Sequence, residues 1–579
     1  MCGIIGYKGN KNALPVIIDG LKNLEYRGYD SSGIAYFNDG EIKIVKEVGK
    51  IANLEKILPN DESHIGIGHT RWATHGGASK ENAHPHRQGV ITLVHNGIIE
   101  NYQNLKTFLI DKGYTFNSQT DTEIAAGLLD YYYKEDNNIL NAISKISEII
   151  EGSYAFGILV DGDDKIYAVK RKSPLIVGVG KDENFIASDI PAILDYTNKY
   201  MLIEDDEIVV LSDKVTVYKN NEIIDKEVYE YKDSVDKAKL NNYEHYMIKE
   251  INDEPKVVEN LISIMKNMET INLKDYDLIQ IIGCGSAYHA GLVGKYLIEE
   301  TLDIKTEVYL GSEYRYNKIY YTDKTLVIAI SQSGETADTL ASLLKAKENH
   351  CYTVGIINTQ LSTIARNCDE VYYINAGLEI CVATTKAYLL QVLMFSILVN
   401  KTLKLDTDEL NYLSNEIIEL INRDYSNIVD EIIKKDNIFF IGRGMDYALC
   451  MEGSLKLKEV SYLHSEAYAA GELKHGTISL IEDGTIVISV ITDTKISDKT
   501  ISNLKEVKAR GAKVIVINTD NVFVPEDVYD YIITMTAGSY LANGIKVCVP
   551  MQIIAYYVAK KLGREIDKPR NLAKSVTVE

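Results

Sequence analysis

Paired cysteines are missing from this chain. Its seven cysteines, Cys2, Cys284, Cys351, Cys368, Cys381, Cys450 and Cys548, are odd in number, scattered, and never spaced as CxxC. That argues against a disulfide framework or a zinc ribbon and points to a reducing compartment, the cytoplasm. Positive charge is also short. The 579 residues carry 62 Lys and Arg against 83 Asp and Glu, a net charge of −21. That balance argues against a general nucleic-acid binder, although not against a local cationic pocket for a small anion. No apolar run spans a bilayer, since the longest, around Leu389 to Val399, is too short. No charged leader precedes the opening apolar residues, which are too few for a secretory signal. A dinucleotide fingerprint is incomplete: after Gly283-Cys-Gly285 its third position holds Tyr288, and a second copy holds Tyr447. Nicotinamide is therefore not expected.

At 46% hydrophobic residues, the chain is long enough for two to four domains with substantial cores. It opens Met1-Cys2-Gly3-Ile4. With Met1 removed, Cys2 carries a free α-amine beside its thiol, and one group can assist deprotonation of the other. Short β-type runs follow over residues 2–7, 34–37, 65–70, 90–96, 154–160, 165–169, 185–188 and 208–217. Helical patterns cover residues 13–26 and 98–112, and a third follows Asp121. So many strands predict stacked sheets with outer helices.

Between these elements lie Gly68-His-Thr-Arg-Trp-Ala-Thr-His-Gly-Gly77, His95-Asn-Gly-Ile-Ile-Glu-Asn101 and Asp121-Thr-Glu123. Arg71 offers a two-pronged donor suited to a carboxylate. Trp72, the only tryptophan, follows it. Asn96 and Gly97 pair a side-chain amide with a backbone N–H, as an oxyanion hole requires. Asp121 is suited to an amine. Each also has a plain reading: Asn-Gly as a turn, Arg71 in a surface ion pair, Trp72 in the core, Asp121 as a helix cap.

Together these motifs resemble the class II glutamine amidotransferases, whose domain is an N-terminal-nucleophile αββα sandwich. The resemblance implies that Cys2 attacks the glutamine amide and that Asn96 and Gly97 stabilise the oxyanion. It also implies a glutamine pocket of Arg71, Trp72, Thr74, His75 and Asp121, with Trp72 gating the released ammonia. The prominent histidines, among them His69, His84, His86 and His95, need not be bases and are not read as metal ligands.

A polar stretch from Asp225 to about Tyr246 reads as a connector. Beyond it the chain repeats itself. Leu278-Ile-Gln-Ile-Ile-Gly283, Thr325-Leu-Val-Ile-Ala-Ile330 and Val354-Gly-Ile-Ile-Asn-Thr359 recur at Asn437, Thr485 and Val514, offsets of 159, 160 and 160. Unbroken β-branched runs alternating with helical stretches predict two α/β units with parallel sheets covered on both faces. Ser331-Gln-Ser-Gly-Glu-Thr336 joins a strand to a helix N-terminus, where hydroxyls and free N–H groups hold a phosphate; an ordinary capped turn has the same spacing. The second copy, Ile491-Thr-Asp-Thr-Lys-Ile496, has lost the serines and the glycine. One copy is expected to bind and the other to have diverged. Residues 447–464 read as one helix with Glu452, Lys456 and Glu459 on one face, either a solvated ladder or a buried proton shuttle. His475 follows in a glycine-bounded loop.

The second half resembles tandem sugar isomerase domains. That implies a sugar-phosphate pocket of Ser286, Ser331, Gln332, Ser333, Thr336, Val382 and Thr384, with Ala287 departing from the usual hydroxyl. The full set, out to the tail Lys568-Pro-Arg-Asn-Leu-Ala-Lys-Ser-Val-Thr-Val-Glu579, resembles the amidotransferases that aminate and isomerise fructose 6-phosphate. The implied organisation is a glutaminase domain over 1–225, a linker over 226–248, sugar isomerase domains over 249–405 and 430–560, and a catalytic tail over 561–579. The implied roles are ring opening by His475, imine formation by Lys574, and proton transfer by Glu459, supported by Glu452 and Lys456. Ammonia would cross internally, and the enzyme would be a homodimer or a dimer of dimers without cofactor. Leu572, Ala573 and Val576 are expected to close over Lys574, with Arg570 or Lys456 as a nearby cation. Rival readings are an amidotransferase with a phosphoribosyl or nucleotide-activating half, a sugar-phosphate sensor, and a deglycase. They fit less well, because the duplicated half and Cys2, Glu459 and Lys574 are all present.

Overall fold

The computed structural model describes residues 2–73, 76–231, 240, 242–406 and 410–577. The chain divides into two compact units, Met1–Lys237 with Ser575–Glu579, and Ala238–Lys574.

In the first unit alternation sets the layers. Gly3–Gly9 sits inside an eight-stranded sheet, between Glu183–Ala187 and Ile65–Arg71. Its Ile4 packs with Val94, Ala155 and Ala168 of a seven-stranded sheet, so the two inner faces meet. The next residue, Ile5, points the other way, onto the helix Ala13–Leu24 through Ile17 and Leu21. On the outer face of the second sheet, Leu93 and Phe156 pack with residues of the helices Tyr102–Asp111, Asp121–Asp136 and Ile139–Ile149. This is the expected αββα sandwich.

Some local expectations need correction. Ile98 and Ile99 end a strand, Ile91–Ile99, and do not begin a helix, because they pair with Ser153 and Gly152. The run at 208–217 is a hairpin of Ile208–Leu211 and Val215–Lys219, turned at Ser212. Asp121 does not cap its helix. Thr120 does, its Oγ1 accepting from the Glu123 N–H at 3.3 Å, a contact worth ~1 kcal/mol.

The second unit holds two parallel five-stranded sheets of one topology. Their orders are Lys305–Leu310, Leu278–Gly283, Thr325–Ser331, Tyr352–Ile357, Glu370–Tyr373 and His464–Ala469, Asn437–Gly442, Ile486–Ile491, Lys513–Thr519, Tyr531–Met535. The repeat is thus structural. The apolar helices Lys386–Thr402 and Tyr540–Lys561 run through the shared core. The latter is the one helix among the described residues long and apolar enough to cross a membrane, and 94% of that window is buried inside the protein. The helix read over 447–464 spans Met445–Ser461. It stops at Tyr462, which is left-handed, and His464 already belongs to a strand. The helix at the end of the connector, Tyr246–Lys266, is anchored by Asp567, whose carboxylate accepts the Tyr246 and Met247 N–H groups at 2.8 and 2.9 Å.

The two copies differ at one informative place. Asp446 stands where the first copy has Ala287. Its Oδ1 accepts from the Thr492 hydroxyl at 2.5 Å and its Oδ2 from the Thr492 N–H at 2.8 Å. A carboxyl of the helix Met445–Ser461 thus bonds the loop equivalent to Ser331–Thr336.

Candidate active sites

The first site gathers around Cys2. Its Sγ accepts from the Trp72 N–H at 3.2 Å, so the backbone of Trp72 holds the thiol. Burial pushes the thiol up, and the Trp72 amide, Arg71 and Arg27 offset this only in part. The thiol therefore stays protonated around neutrality. Cys2, Arg71, Trp72, Gly97 and Asp121 line one narrow cavity. Thr74 and His75 lie outside the described residues.

Asn96 Nδ2 donates to the Cys2 carbonyl at 3.1 Å, and Arg27 Nε donates to the same oxygen, also at 3.1 Å. The other end of the Asn96 amide is fixed by His69. His69 Nε2 lies 3.2 Å from Asn96 Oδ1 and 3.0 Å from the His95 carbonyl. Burial drives His69 down to about 3, so the ring is neutral. Both partners are acceptors, so Nε2 carries the proton. The Asn96 amide is thereby turned with its NH₂ toward Cys2. Gly97 has φ +138°, and a Cβ there would lie 2.0 Å from the Ser153 carbonyl oxygen, so the position demands glycine.

Arg71 donates to the Gly77 and Gly76 carbonyls, both at 3.1 Å, and is almost fully buried. A surface ion pair is therefore not its role. Asp121 Oδ2 accepts from the Ile99 N–H at 2.9 Å. His84 and His95 bond the Thr122 hydroxyl, at 3.2 and 3.0 Å, and His86 bonds that of Thr120 at 3.1 Å. Through these bonds His95, on the strand Ile91–Ile99, and His84 and His86, just before it, hold the start of the Asp121 helix. Sequence reasoning had assigned them no positive role.

The second site lies in the second unit. Ser331 Oγ accepts from the Gly334 N–H at 2.9 Å and pairs with Thr336 Oγ1 at 3.1 Å; Ser333 Oγ accepts from the Glu335 N–H at 3.2 Å. Gly334 has φ +66°, which curls residues 331–336 over the N-terminus of the helix Ala337–Glu348. Gln332 belongs to this turn, its carbonyl accepting from the Thr359 N–H at 3.2 Å. Ser286, at the start of the helix Ser286–Leu302, donates to Glu452 Oε1 at 2.9 Å, and His289 Nδ1 meets Glu452 Oε2 at 2.8 Å. Lys456 completes the cluster, 2.6 Å from Glu459 and 3.4 Å from Glu452. Glu452 and Lys456 are buried, so the solvated-ladder reading fails. Burial opposes the Glu452 charge, yet Lys456, His289 and Ser286 hold its carboxyl below the usual range. Glu459 keeps some exposure. His475 sits on an exposed 3₁₀ turn, Glu472–His475.

Lys574 is buried. Its Nζ lies 2.5 Å from Glu379 Oε2 and donates to Thr384 Oγ1 at 3.1 Å. The Val382 N–H donates to the Asp567 carbonyl at 2.9 Å, binding this loop to the tail. The surroundings expected for Lys574 need correction. Val576 is 51% exposed, Arg570 stacks on the Tyr462 ring at 4.4 Å, and Lys456 is engaged with Glu452 and Glu459. A carboxylate, Glu379, faces the lysine instead. Nothing in the local sequence marked Glu379.

Comparison with known proteins agrees with this layout. A model described as "Glutamine amidotransferase domain" matches residues 69–195, and one described as "SIS domain" matches 272–401 and 431–559. The glutamine–fructose-6-phosphate aminotransferase (isomerizing) of Caldanaerobacter subterraneus is 45% identical over the whole of both chains. That of Aquifex aeolicus is 40% identical, again over both full lengths. The solved C-terminal domain of glucosamine-fructose-6-phosphate aminotransferase from Francisella tularensis is 34% identical. It covers 57% of this chain and 99% of its own, with a TM-score of 0.54. With its two halves matched separately and its full length matched in one piece, the chain belongs to the isomerizing glutamine–fructose-6-phosphate aminotransferases.

Proposed function

We propose that the chain converts L-glutamine and D-fructose 6-phosphate to L-glutamate and D-glucosamine 6-phosphate, a first step of amino-sugar synthesis, with the following residue roles. Cys2, freed of Met1 and deprotonated by its own α-amine, attacks the glutamine amide carbon. Asn96 Nδ2 and the Gly97 N–H stabilise the oxyanion. Arg71, Trp72, Thr74, His75 and Asp121 bind glutamine. The ammonia released passes internally to the sugar. There Ser286, Ser331, Gln332, Ser333, Thr336, Val382 and Thr384 hold fructose 6-phosphate and His475 opens its ring. Lys574 forms an imine at C2, which ammonia displaces. Glu459 moves a proton from C1 to C2, supported by Glu452 and Lys456. Groups of the chain itself carry each step, and no cofactor is invoked. His475, presented outward, suits action between two copies of the chain, and we read the enzyme as a homodimer. The seven free cysteines favour the cytoplasm.

The observation that carries this reading is Lys574. A lysine so near a chain end is ordinarily solvated, yet this one is held against Thr384, in the loop assigned to the sugar. The test is borohydride reduction in the presence of fructose 6-phosphate, followed by peptide mapping. A sugar adduct on Lys574, absent in Lys574→Arg, is the expected result, because arginine is not deprotonated and forms no imine. An adduct on another lysine, or full synthesis by Lys574→Arg, overturns it.

A further inference from the structure

An amine that attacks a carbonyl must first lose its ammonium proton, and Lys574 is cut off from water. Its side chain is 3% exposed and that of Glu379 is 0% exposed. Their 2.5 Å contact leaves no room for an intervening water. The other oxygen, Glu379 Oε1, accepts the Thr385 and Ala387 N–H groups at 3.0 and 3.1 Å. The carboxylate is thus fixed on the first turn of the helix Lys386–Thr402, with Oε2 aimed at the amine.

We propose that Glu379 is a catalytic residue of the sugar half, the base that takes the Lys574 proton and the acid that returns it. This rests on the imine role given to Lys574 above. In the first step an Nζ–H bond of the ammonium breaks and an O–H bond forms at Glu379 Oε2. The freed lone pair attacks C2 of fructose 6-phosphate, giving a neutral carbinolamine once the nitrogen proton has moved to the C2 oxygen. In the second step the Glu379 O–H breaks, its proton joins the C2 hydroxyl, and water leaves as the C=N bond forms. Glu379 ends as it began. Ammonium and ketone have become iminium and water, with no other reactant consumed.

The neighbours fit this assignment. Burial opposes the Glu379 charge, but Lys574, the Ala387 N–H and Lys386 hold the carboxyl below the usual range, ready to accept. The other acids packed here differ. Burial, with the charge of Glu379, pushes Glu250 up to about 8, and burial pushes Glu254 well up. Cys381 is likewise pushed up by burial. Around neutrality Glu379 is the ionised one among these four. Glu250 Oε1 accepts the Ile380 and Cys381 N–H groups at 2.5 and 3.2 Å, which steadies the loop on which Glu379 stands.

The experiment uses the full chain, fructose 6-phosphate, and a rapid borohydride quench that counts Lys574 adducts with time. It is run from pH 6.0 to 7.5, below the Glu250 ionisation. Wild type passes the proton internally, so its trapping rate changes less than twofold across this range. Glu379→Gln has lost the internal base and must release the proton to solvent. Its rate falls at least 10²-fold at pH 7 and rises about tenfold per pH unit. Glu379→Asp, which keeps a carboxylate, recovers part of the rate. Sugar affinity by calorimetry stays within threefold in both variants, which a general collapse of the site does not allow. A Glu379→Gln rate equal to wild type, or a wild-type rate that itself climbs tenfold per pH unit, overturns the proposal. The latter needs no variant to fold. If Lys574→Arg keeps the adduct, the lysine assignment fails first; if it loses the adduct while Glu379→Gln traps normally, only the role of Glu379 fails.

Discussion

Replacing Gly97 by alanine should disable glutamine hydrolysis and leave the sugar half untouched. The alanine Cβ would lie 2.0 Å from the Ser153 carbonyl oxygen and 2.7 Å from its carbon. Carbon and oxygen approach comfortably to only ~3.3 Å. The paired strands Ile91–Ile99 and Gly152–Val160 must then open locally by more than ~1 Å. The φ of +138° adds backbone strain of about 1–3 kcal/mol. A misplacement of ~1 Å can cost 10²-fold in rate, and a lost oxyanion donor costs about 10²–10³. Because Asn96 and Gly97 move together, kcat for glutamate release at saturating glutamine should fall by roughly 10²–10³. Fructose 6-phosphate binding, followed by calorimetry, should not change. A Gly97→Ala enzyme that releases glutamate within threefold of the wild-type rate would refute the oxyanion role of this strand.

Other expectations follow from the same geometry. Ser331→Ala with Ser333→Ala should weaken fructose 6-phosphate binding by tenfold or more per contact, at about 1.5–3 kcal/mol each; unchanged calorimetric affinity would restore the plain-turn reading. Lys456→Met leaves the buried Glu452 without its cation, which should cost about 3–5 kcal/mol and lower the unfolding midpoint of the sugar half; an unaltered midpoint counts against the cluster. Acid should destabilise the glutaminase unit. Burial drives His69 to about 3 and holds His84 and His86 well below the usual imidazole range. Below pH ~6.5 the unfolded chain then binds more protons than the native one, so stability present above that pH is lost as it falls. One unit lower, each ring costs about 1.4 kcal/mol, on the order of 4 for the three. Thermal inactivation of glutaminase at pH 7.5 and 5.5 measures this, and equal midpoints would contradict it.

What could be read in the sequence followed from periodicity. The offsets of 159 and 160 imply two like units because similar apolar runs at one spacing build similar sheets, and both sheets have one strand order. Residues close in the chain, such as Asn96 and Gly97, stay neighbours on one strand. Pairings across the chain were not legible. Ile98 reads as helical until Ser153 is seen to pair with it, and no local pattern joins Lys574 to Glu379, 195 residues away. Polar side chains inside an apolar background give no periodic signal. That is why Glu250 and the orienting role of His69 emerged only from the folded chain.

Asp446 bears on how the duplicated halves respond to ligand. An anion carried by the polypeptide meets its loop at an effective concentration that a solute at cellular levels does not reach. The Thr492 hydroxyl and N–H are thus satisfied by the chain's own carboxyl whether or not ligand is present. Facing the loop at Ser331, the position equivalent to Asp446 is Ala287, which carries no carboxyl. Ligand that binds only the native state adds stability that grows with the logarithm of its concentration. With sugar phosphate held at the Ser331 loop as proposed, the first repeat should stiffen and relax with its supply, while its twin, carrying its own carboxyl at Thr492, responds less.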